Sequence, residues 1–270
     1  MSTVGLLPDR PLVLVTGAGR GVGRGIARAF GEIGATVYLT GRTEPAGTPT
    51  PGDGSVFSVA REIDDAGGSG IPVTVDHRDD QAVAELFAQI EADHGTLDVL
   101  VNNAFGTPRP WVGSGGMWEH PIEIYDQMHD VGIRSTYVAT WHACRAMVAR
   151  GRGAVVNVSS RAAEEYFFST AYGVSKAATD KFTADLATEL ATALPDRAPG
   201  QGVGVFSVWP GLVRTEYYQS QVADGHWPER ADAQDPIDVG RAILTLLRDP
   251  DPVRLSGQVV EVGDLLQWPA

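Results

Sequence analysis

The sequence predicts an α/β chain: a parallel sheet of about seven strands forming the middle of three layers, with helices on both faces. Three observations lead there. Short apolar runs rich in β-branched residues recur along the chain, as expected of strands buried on both faces. Between them lie segments whose apolar residues fall at helical spacing. The two kinds alternate strand by helix, the pattern of crossover units that build one doubly wound parallel sheet.

The elements follow in order. Residues 12–16 (LVLVT) give the first strand, and a glycine-dense turn leads into GIARAFGEIGA, where Ile26, Ala27, Phe30 and Ile33 share a helical face. Residues 36–40 (TVYLT) form the second strand. RTEPAGTPTPGD, between Gly41 and Gly54, has no periodicity and reads as a surface insertion. A helix over 56–66 precedes the third strand, 71–76 (IPVTVD), and 80–94 is an amphipathic helix with Val83, Leu86, Phe87 and Ile90 on one face. The fourth strand is 97–102 (LDVLVN), followed by a long loop over 104–119 carrying Phe105, Trp111 and Trp118. The pattern then predicts one long helix from Pro121 to about Arg150, a fifth strand (AVVNVSS), a helix bearing Tyr172, and a sixth strand over 202–210 (GVGVFSVWP). An irregular stretch over 212–235, a helix over 238–248 and a last strand in SGQVVEV complete the chain. No internal linker, repeat or composition break interrupts the rhythm, so residues 1–270 are expected to form a single domain.

Composition narrows the function classes. A net charge of −13 argues against general affinity for nucleic acid or anionic membrane. Cys144 is the one cysteine, so no intrachain disulfide can form. A reducing, cytoplasmic setting fits, and its apolar helical surroundings suggest a buried, inert thiol. The first residues lack the charged start and apolar core of a signal peptide, and no run approaches a membrane span. The six histidines show no HxH or HExxH spacing, so no metal site is expected.

Two features carry chemistry. TGAGRGVG, residues 16–23, joins the first strand to the first helix. Its glycines at 17, 21 and 23 permit a tight turn and close approach of a pyrophosphate to the helix N-terminus. The second strand ends in Gly41 and Arg42, where NAD-binding chains place an acid for the ribose hydroxyls. A glycine there removes a repulsive carboxylate, and Arg42 with Arg20 can pair with a 2′-phosphate, so NADP(H) is favoured over NAD(H). The second feature is Tyr172 and Lys176, four apart and so on one helical face, behind the serine pair Ser159 and Ser160. An ammonium beside a phenol favours phenolate. The bland reading is an ordinary Tyr and Lys on a partly exposed helix, and only the surrounding motifs displace it.

Those motifs, TGAGRGVG, VNNA at Val101, the NVSS strand end, YGVSK at Tyr172 and WPGLVRT at Trp209, come in the order seen in short-chain dehydrogenases/reductases, which the chain resembles over nearly its whole length. The resemblance implies a Rossmann-like fold of the single-domain branch. It also implies an oxidoreductase that moves hydride between NADP(H) and a carbonyl or secondary alcohol. Tyr172 would be the general acid/base, Lys176 would lower its pKa and bind the nicotinamide ribose, and Ser160, rather than Ser159, would polarise the substrate oxygen. Asp76 would contact adenine, and Asn102 would support sheet and cofactor. Pro210, Gly211, Val213 and Thr215 would meet the nicotinamide. The full expected cofactor set is Gly17, Gly19, Arg20, Gly21, Val22, Gly23, Gly41, Arg42, Asp76, His77, Asn102, Ala104, Tyr172, Lys176, Pro210, Gly211, Val213 and Thr215. A homodimer or homotetramer is implied, with the helices beginning near Pro121 and Thr170 as contacts.

Two positions depart from the family pattern. Phe105 replaces the glycine of NNAG, putting bulk near the cofactor entrance, and Gly132 stands where the family carries an asparagine that distorts its helix and holds a relay water through its carbonyl. Glycine can also break helical regularity and keeps its carbonyl, so the relay is expected to survive. Aromatic residues, Phe105, Trp111, Trp118, Tyr166 to Phe168, Trp209, Tyr217 and Tyr218, suit an apolar or aromatic carbonyl substrate, though core filling or subunit contact would use them too. Residues 224–235 could form a mobile lid or a plain surface loop. A non-catalytic NADP(H)-binding regulator on the same fold is the alternative, supported only by Gly132. A sugar-nucleotide epimerase shares YxxxK but not the glycine spacing.

Overall fold

The computed structural model describes residues 5–42, 54–107 and 115–268. Most of the insertion after Arg42, and Trp111, lie outside them. The strands are β1 (Leu12–Val15), β2 (Thr36–Gly41), β3 (Ser69–Thr74), β4 (Val99–Asn102), β5 (Arg152–Val158), β6 (Gly202–Trp209) and β7 (Val259–Glu261). They pair in the order β3-β2-β1-β4-β5-β6-β7, all parallel. The order reverses between β1 and β4, so the strand ends around that crevice are where a ligand of such a sheet binds.

Alternation along the strands sorts the core into two halves. Val13, Val15, Val37, Leu39, Val99, Val101, Val156 and Phe206 face one layer with α1 (Gly21–Glu32), α2 (Val56–Asp65) and α8 (Pro236–Arg248). Leu14, Tyr38, Leu100, Val155 and Val205 face the other, with α3 (Asp80–His94), α5 (Ser135–Arg150) and α6 (Thr170–Ala193). Burial on both faces is why the central strands read as nearly continuous apolar runs. Cys144 joins the second half as a partly buried side chain, and burial pushes its thiol up to about 11, as an inert cysteine requires.

Helices α1 and α8 meet backbone to backbone. A Cβ on Gly25 would lie 2.1 Å from the carbonyl carbon and oxygen of Pro236, and one on Gly240 would lie 2.5 Å from Ala29 Cβ. Gly25→Ala therefore has to push the two helices apart. It is expected to cost about 3 kcal/mol of unfolding free energy, the upper range for overpacking, read as a lowered denaturation midpoint.

The structure corrects the expected elements at three places. The single long helix from Pro121 is two: α4 (Glu123–His129) and α5, separated by a wide turn over Asp130–Arg134 in which Val131 and Gly132 leave helical geometry. There the Gly106 N–H donates to the Val131 carbonyl at 2.5 Å, taking it out of the helical ladder. The irregular stretch 212–235 contains α7 (Glu216–Ala223), whose first turn is capped by Thr215 accepting from the Tyr218 N–H at 3.2 Å. The last strand is three residues long and runs directly into α9 (Val262–Leu265).

Candidate active site

At the C-terminal edge of β1 the glycine turn is fastened to the end of β4. Thr16 Oγ1 donates to the Val101 carbonyl at 3.3 Å and accepts the N–H groups of Asn103 and Ala104, each at 3.0 Å. The Asn103 amide donates to the carbonyls of Thr16 (2.8 Å) and Gly17 (3.0 Å). Gly17 and Gly21 have φ of 66° and 54°, which glycine adopts without strain. A Cβ at Gly17 would strike Ala104 Cα at 2.8 Å, one at Gly19 the Gly54 carbonyl oxygen at 2.4 Å, and one at Gly23 the Asn103 amide at 2.4 Å. The glycines are thus needed for the turn's own packing, and Asn103, which has no signal of its own in the sequence beside Asn102, is the clamp.

The start of α1 receives an anion from within the chain. The Gly21 N–H donates to Glu216 Oε2 at 2.9 Å, and Arg24 approaches Glu216 Oε1 at 3.4 Å. Backbone donors at a helix N-terminus beside an arginine suit a phosphate equally, so the donor set fits a dinucleotide's pyrophosphate. Thr215 lies alongside, its Cγ2 3.4 Å from where a Gly21 Cβ would be. Pro210 and Gly211 follow the end of β6, whereas Val213 buries its side chain in the core and pairs by its backbone with Gln234.

The ends of β2 and β3 form the second part. Asp76 is gripped by Arg78 through Nε to both carboxylate oxygens at 3.1 Å, which, with a smaller effect of Arg42, holds its carboxyl below the usual range. Arg78 was not singled out from the sequence because a lone arginine in a loop has no periodic or motif context. His77 turns inward: its Nε2 lies 2.7 Å from Thr40 Oγ1, and burial pulls its pKa down to about 4. Its side chain is a neutral strut between the strand ends, turned away from any ligand at the surface.

The chemistry-bearing residues gather where β5 ends. Ser159 and Ser160 diverge as an extended chain requires. Ser159 is buried and donates to the Lys176 carbonyl at 3.3 Å. Ser160 caps the following 3₁₀ turn, accepting from the Ala162 N–H at 3.2 Å, and hydrogen-bonds the Tyr172 hydroxyl. α6 begins with Ser169 accepting from the Tyr172 N–H at 3.2 Å, which fixes the tyrosine in the first turn. Lys176, one turn on, donates from Nζ to the Val158 carbonyl at 3.0 Å and lies 4.5 Å above the Phe105 ring centre.

The electrostatics differ from the sequence expectation. Burial pushes the Tyr172 phenol up, opposed by its hydrogen bond to Ser160. Burial also pulls the Lys176 ammonium down to about 8, opposed by Asp180. In this arrangement the ammonium faces the Val158 carbonyl and Phe105, and desolvation dominates both groups.

Behind them runs a buried polar ladder. The Asn102 amide donates to Asn157 Oδ1 and Thr140 Oγ1, and the Asn157 amide to Thr183 Oγ1, all at 2.9 Å. Asn102 therefore ties β4 to β5 and α5, and Asn157 carries the ladder on to α6.

An aromatic wall covers Tyr172. The rings of Phe105 and Phe168 each meet it edge-on, with centroids 5.5 Å away. Phe168, at φ 62°, stacks on Trp227 at 6.1 Å, and Trp227 contacts Tyr217 and Tyr218. Trp227 was not among the expected aromatics, since its charged, irregular neighbours hid it. Two expected members are buried behind the wall. Trp209 is buried and donates to Asp180 at 3.1 Å, and Tyr218 is buried with its hydroxyl between the Pro228 carbonyl and the Arg230 N–H. Trp118 is 84% exposed.

Comparison with known proteins matches this geometry to a family. Residues 11–225 match the short chain dehydrogenase family model. The mouse and human proteins called dehydrogenase/reductase SDR family member 1 are 36% and 35% identical to the chain, over 93% of it and 79% of their own length. Among solved structures, a short-chain dehydrogenase from Mycobacterium thermoresistibile superposes with a TM-score of 0.78 at 25% identity, covering 96% of this chain and 87% of that one. A structure from Beutenbergia cavernae, holding NADP at low occupancy, gives 0.76 at 30% identity, covering 97% and 98%.

Proposed function

The chain belongs to the short-chain dehydrogenase/reductase family, and on that premise we propose that it is an NADP(H)-dependent oxidoreductase, acting within one domain on an apolar or aromatic carbonyl or secondary alcohol. The observation that carries the reading is the hydrogen-bonded pair of Ser160 and Tyr172, one helical turn from a buried Lys176 and beneath a wall of aromatic rings. NADPH, when bound, supplies the hydride. The glycine turn, with the start of α1 and Thr215, would hold its pyrophosphate after displacing the Glu216 carboxylate. Arg42 and Arg20 would hold the 2′-phosphate.

Within the chain, Ser160 and Tyr172 donate hydrogen bonds to the substrate oxygen as negative charge develops there, and Tyr172 then gives up its proton. The Ser160 bond pre-aligns the phenol. The raised phenol pKa keeps Tyr172 protonated and ready as an acid in the reductive direction. Phe105, Phe168 and Trp227 exclude water and present flat apolar faces to the substrate.

Arg42→Ala is expected to weaken NADPH binding by about 10- to 100-fold, the worth of a charge-assisted hydrogen bond, and to leave NADH binding nearly unchanged. Fluorescence titration of both nucleotides reads this directly. Equal loss for both would assign Arg42 no role with the 2′-phosphate. Turnover on a carbonyl panel with NADPH and NADH side by side tests the reaction itself. NADPH binding without turnover on any member would favour the regulator instead. Exposed Tyr137 and Trp141 on α5, with Val174 on α6, support self-association through those two helices, in a homodimer or homotetramer.

A further inference from the structure

We propose that Phe105 is a positioning residue of the active site, its ring holding the Lys176 ammonium and bracing the Tyr172 ring, and that Gly132 is bare because this ring needs the space. The inference rests on the assignment of Tyr172 and Lys176 to the reaction. Its geometry is direct. Lys176 Nζ is 4.5 Å from the centre of the Phe105 ring, within the range in which a ring's negative face attracts a cation. The same ring meets Tyr172 at 87°, with centroids 5.5 Å apart, the edge-to-face packing that aromatic pairs prefer.

The ammonium needs such a partner. Lys176 is buried, and the Val158 carbonyl accepts one of its three N–H bonds. The groups facing it are Tyr172 and Asp180 on its own helix, the Val158 carbonyl and Ser159 at the end of β5, and Phe105 on the loop after β4; Asp180 is the charged one among these described residues. A π-face offsets desolvation without introducing a charge that would pull the lysine away from a ligand.

Gly132 completes the arrangement. A Cβ there would sit 3.4 and 3.5 Å from Phe105 Cε2 and Cδ2 and 3.0 Å from Ser175 Oγ, which is itself fixed by donating to the Met128 carbonyl at 3.0 Å. A methyl there would touch the ring at ordinary contact distance and crowd Ser175 Oγ, so a longer side chain extending toward either would meet it. The two departures from the family pattern, Phe105 for glycine and Gly132 for asparagine, are therefore one exchange of bulk across a single contact. Phe105 lies against the Lys176 and Tyr172 side chains, and Gly132→Asn alone is expected to lower turnover.

Lys176 and Lys181 are the chain's two lysines, so a lysine-labelled sample gives two side-chain NMR signals, assigned by Lys181→Arg. Phe105→Leu keeps most of the bulk but removes the π-face. It should lower the Lys176 titration midpoint by roughly 0.5 to 1.5 pH units, while Phe105→Tyr keeps it. An unmoved midpoint in Phe105→Leu overturns the proposal. Turnover gives a second arm: Phe105→Gly and Gly132→Asn should each reduce it, and the double variant should recover at least tenfold over the product of the two losses. Losses that simply multiply would also overturn it. The titration does not depend on turnover. If Tyr172→Phe stays active, the proposed reaction fails whatever the midpoint does; if it is inactive and the midpoint is unmoved, only the role of Phe105 fails.

Discussion

Tyr172→Phe should cut turnover by about 10²-fold or more, the scale on which a positioned general acid acts, while NADPH affinity stays near its original value. The substitution removes one oxygen and nothing else. The ring keeps its edge-on contacts with Phe105 and Phe168, and the N-terminal cap of α6 by Ser169 uses the Tyr172 backbone, so the helix start is unaffected. Ser160 loses a hydrogen-bond partner but still accepts from the Ala162 N–H. What disappears is the proton donor. Single-turnover measurement with saturating NADPH isolates that step, and a variant that reduces its best substrate at the original rate removes Tyr172 from the mechanism. Because burial raises the phenol, the acid form of Tyr172 persists well above neutrality, so loss of reductive rate with rising pH should instead begin where Lys176 titrates, near 8.

Local chemistry was legible in the sequence, whereas whatever depends on two distant segments was not. The central strands could be read because they are buried on both faces and so mostly apolar, whereas the edge strands β3 and β7 are half-exposed. The glycine turn and the Tyr172–Lys176 spacing could be read because each sits within one short motif. By contrast, the break between α4 and α5 depends on the Gly106 N–H capturing the Val131 carbonyl from a loop 25 residues earlier in the chain. The helix α7 is only eight residues long and weakly amphipathic, so its Thr215 cap was its clearest mark. Glu216 and Asn103 act through partners that folding alone supplies. The Tyr172 acidity went the other way for the same reason: spacing put an ammonium on the same face, but burial of both side chains, which no spacing reveals, outweighs it.

Lys176 carries the other large expected effect, and its sign is opposite for stability and for activity. Its folded pKa of about 8 lies below the ordinary 10.5, so between those values the unfolded chain binds the proton more readily than the folded one. Stability therefore rises as pH climbs from about 8 to 10.5, and below 8 the full penalty applies, on the order of 3 kcal/mol for a shift of that size. Lys176→Met keeps the length of the side chain and removes the charge. It leaves the Val158 carbonyl without its donor, which costs about 1 kcal/mol at any pH. At pH 7 the variant should thus unfold at higher denaturant than the parent, by an amount worth about 2 kcal/mol. By pH 10.5 that advantage should be gone, and turnover should be strongly reduced at both. Comparing the two proteins at each pH cancels every other titrating group. A stability difference that does not change with pH would mean that the ammonium is not strained by burial. A difference that shrinks as described means that the fold keeps a destabilising charge at this position, which packing alone gives no reason to keep and proton handling beside Tyr172 does.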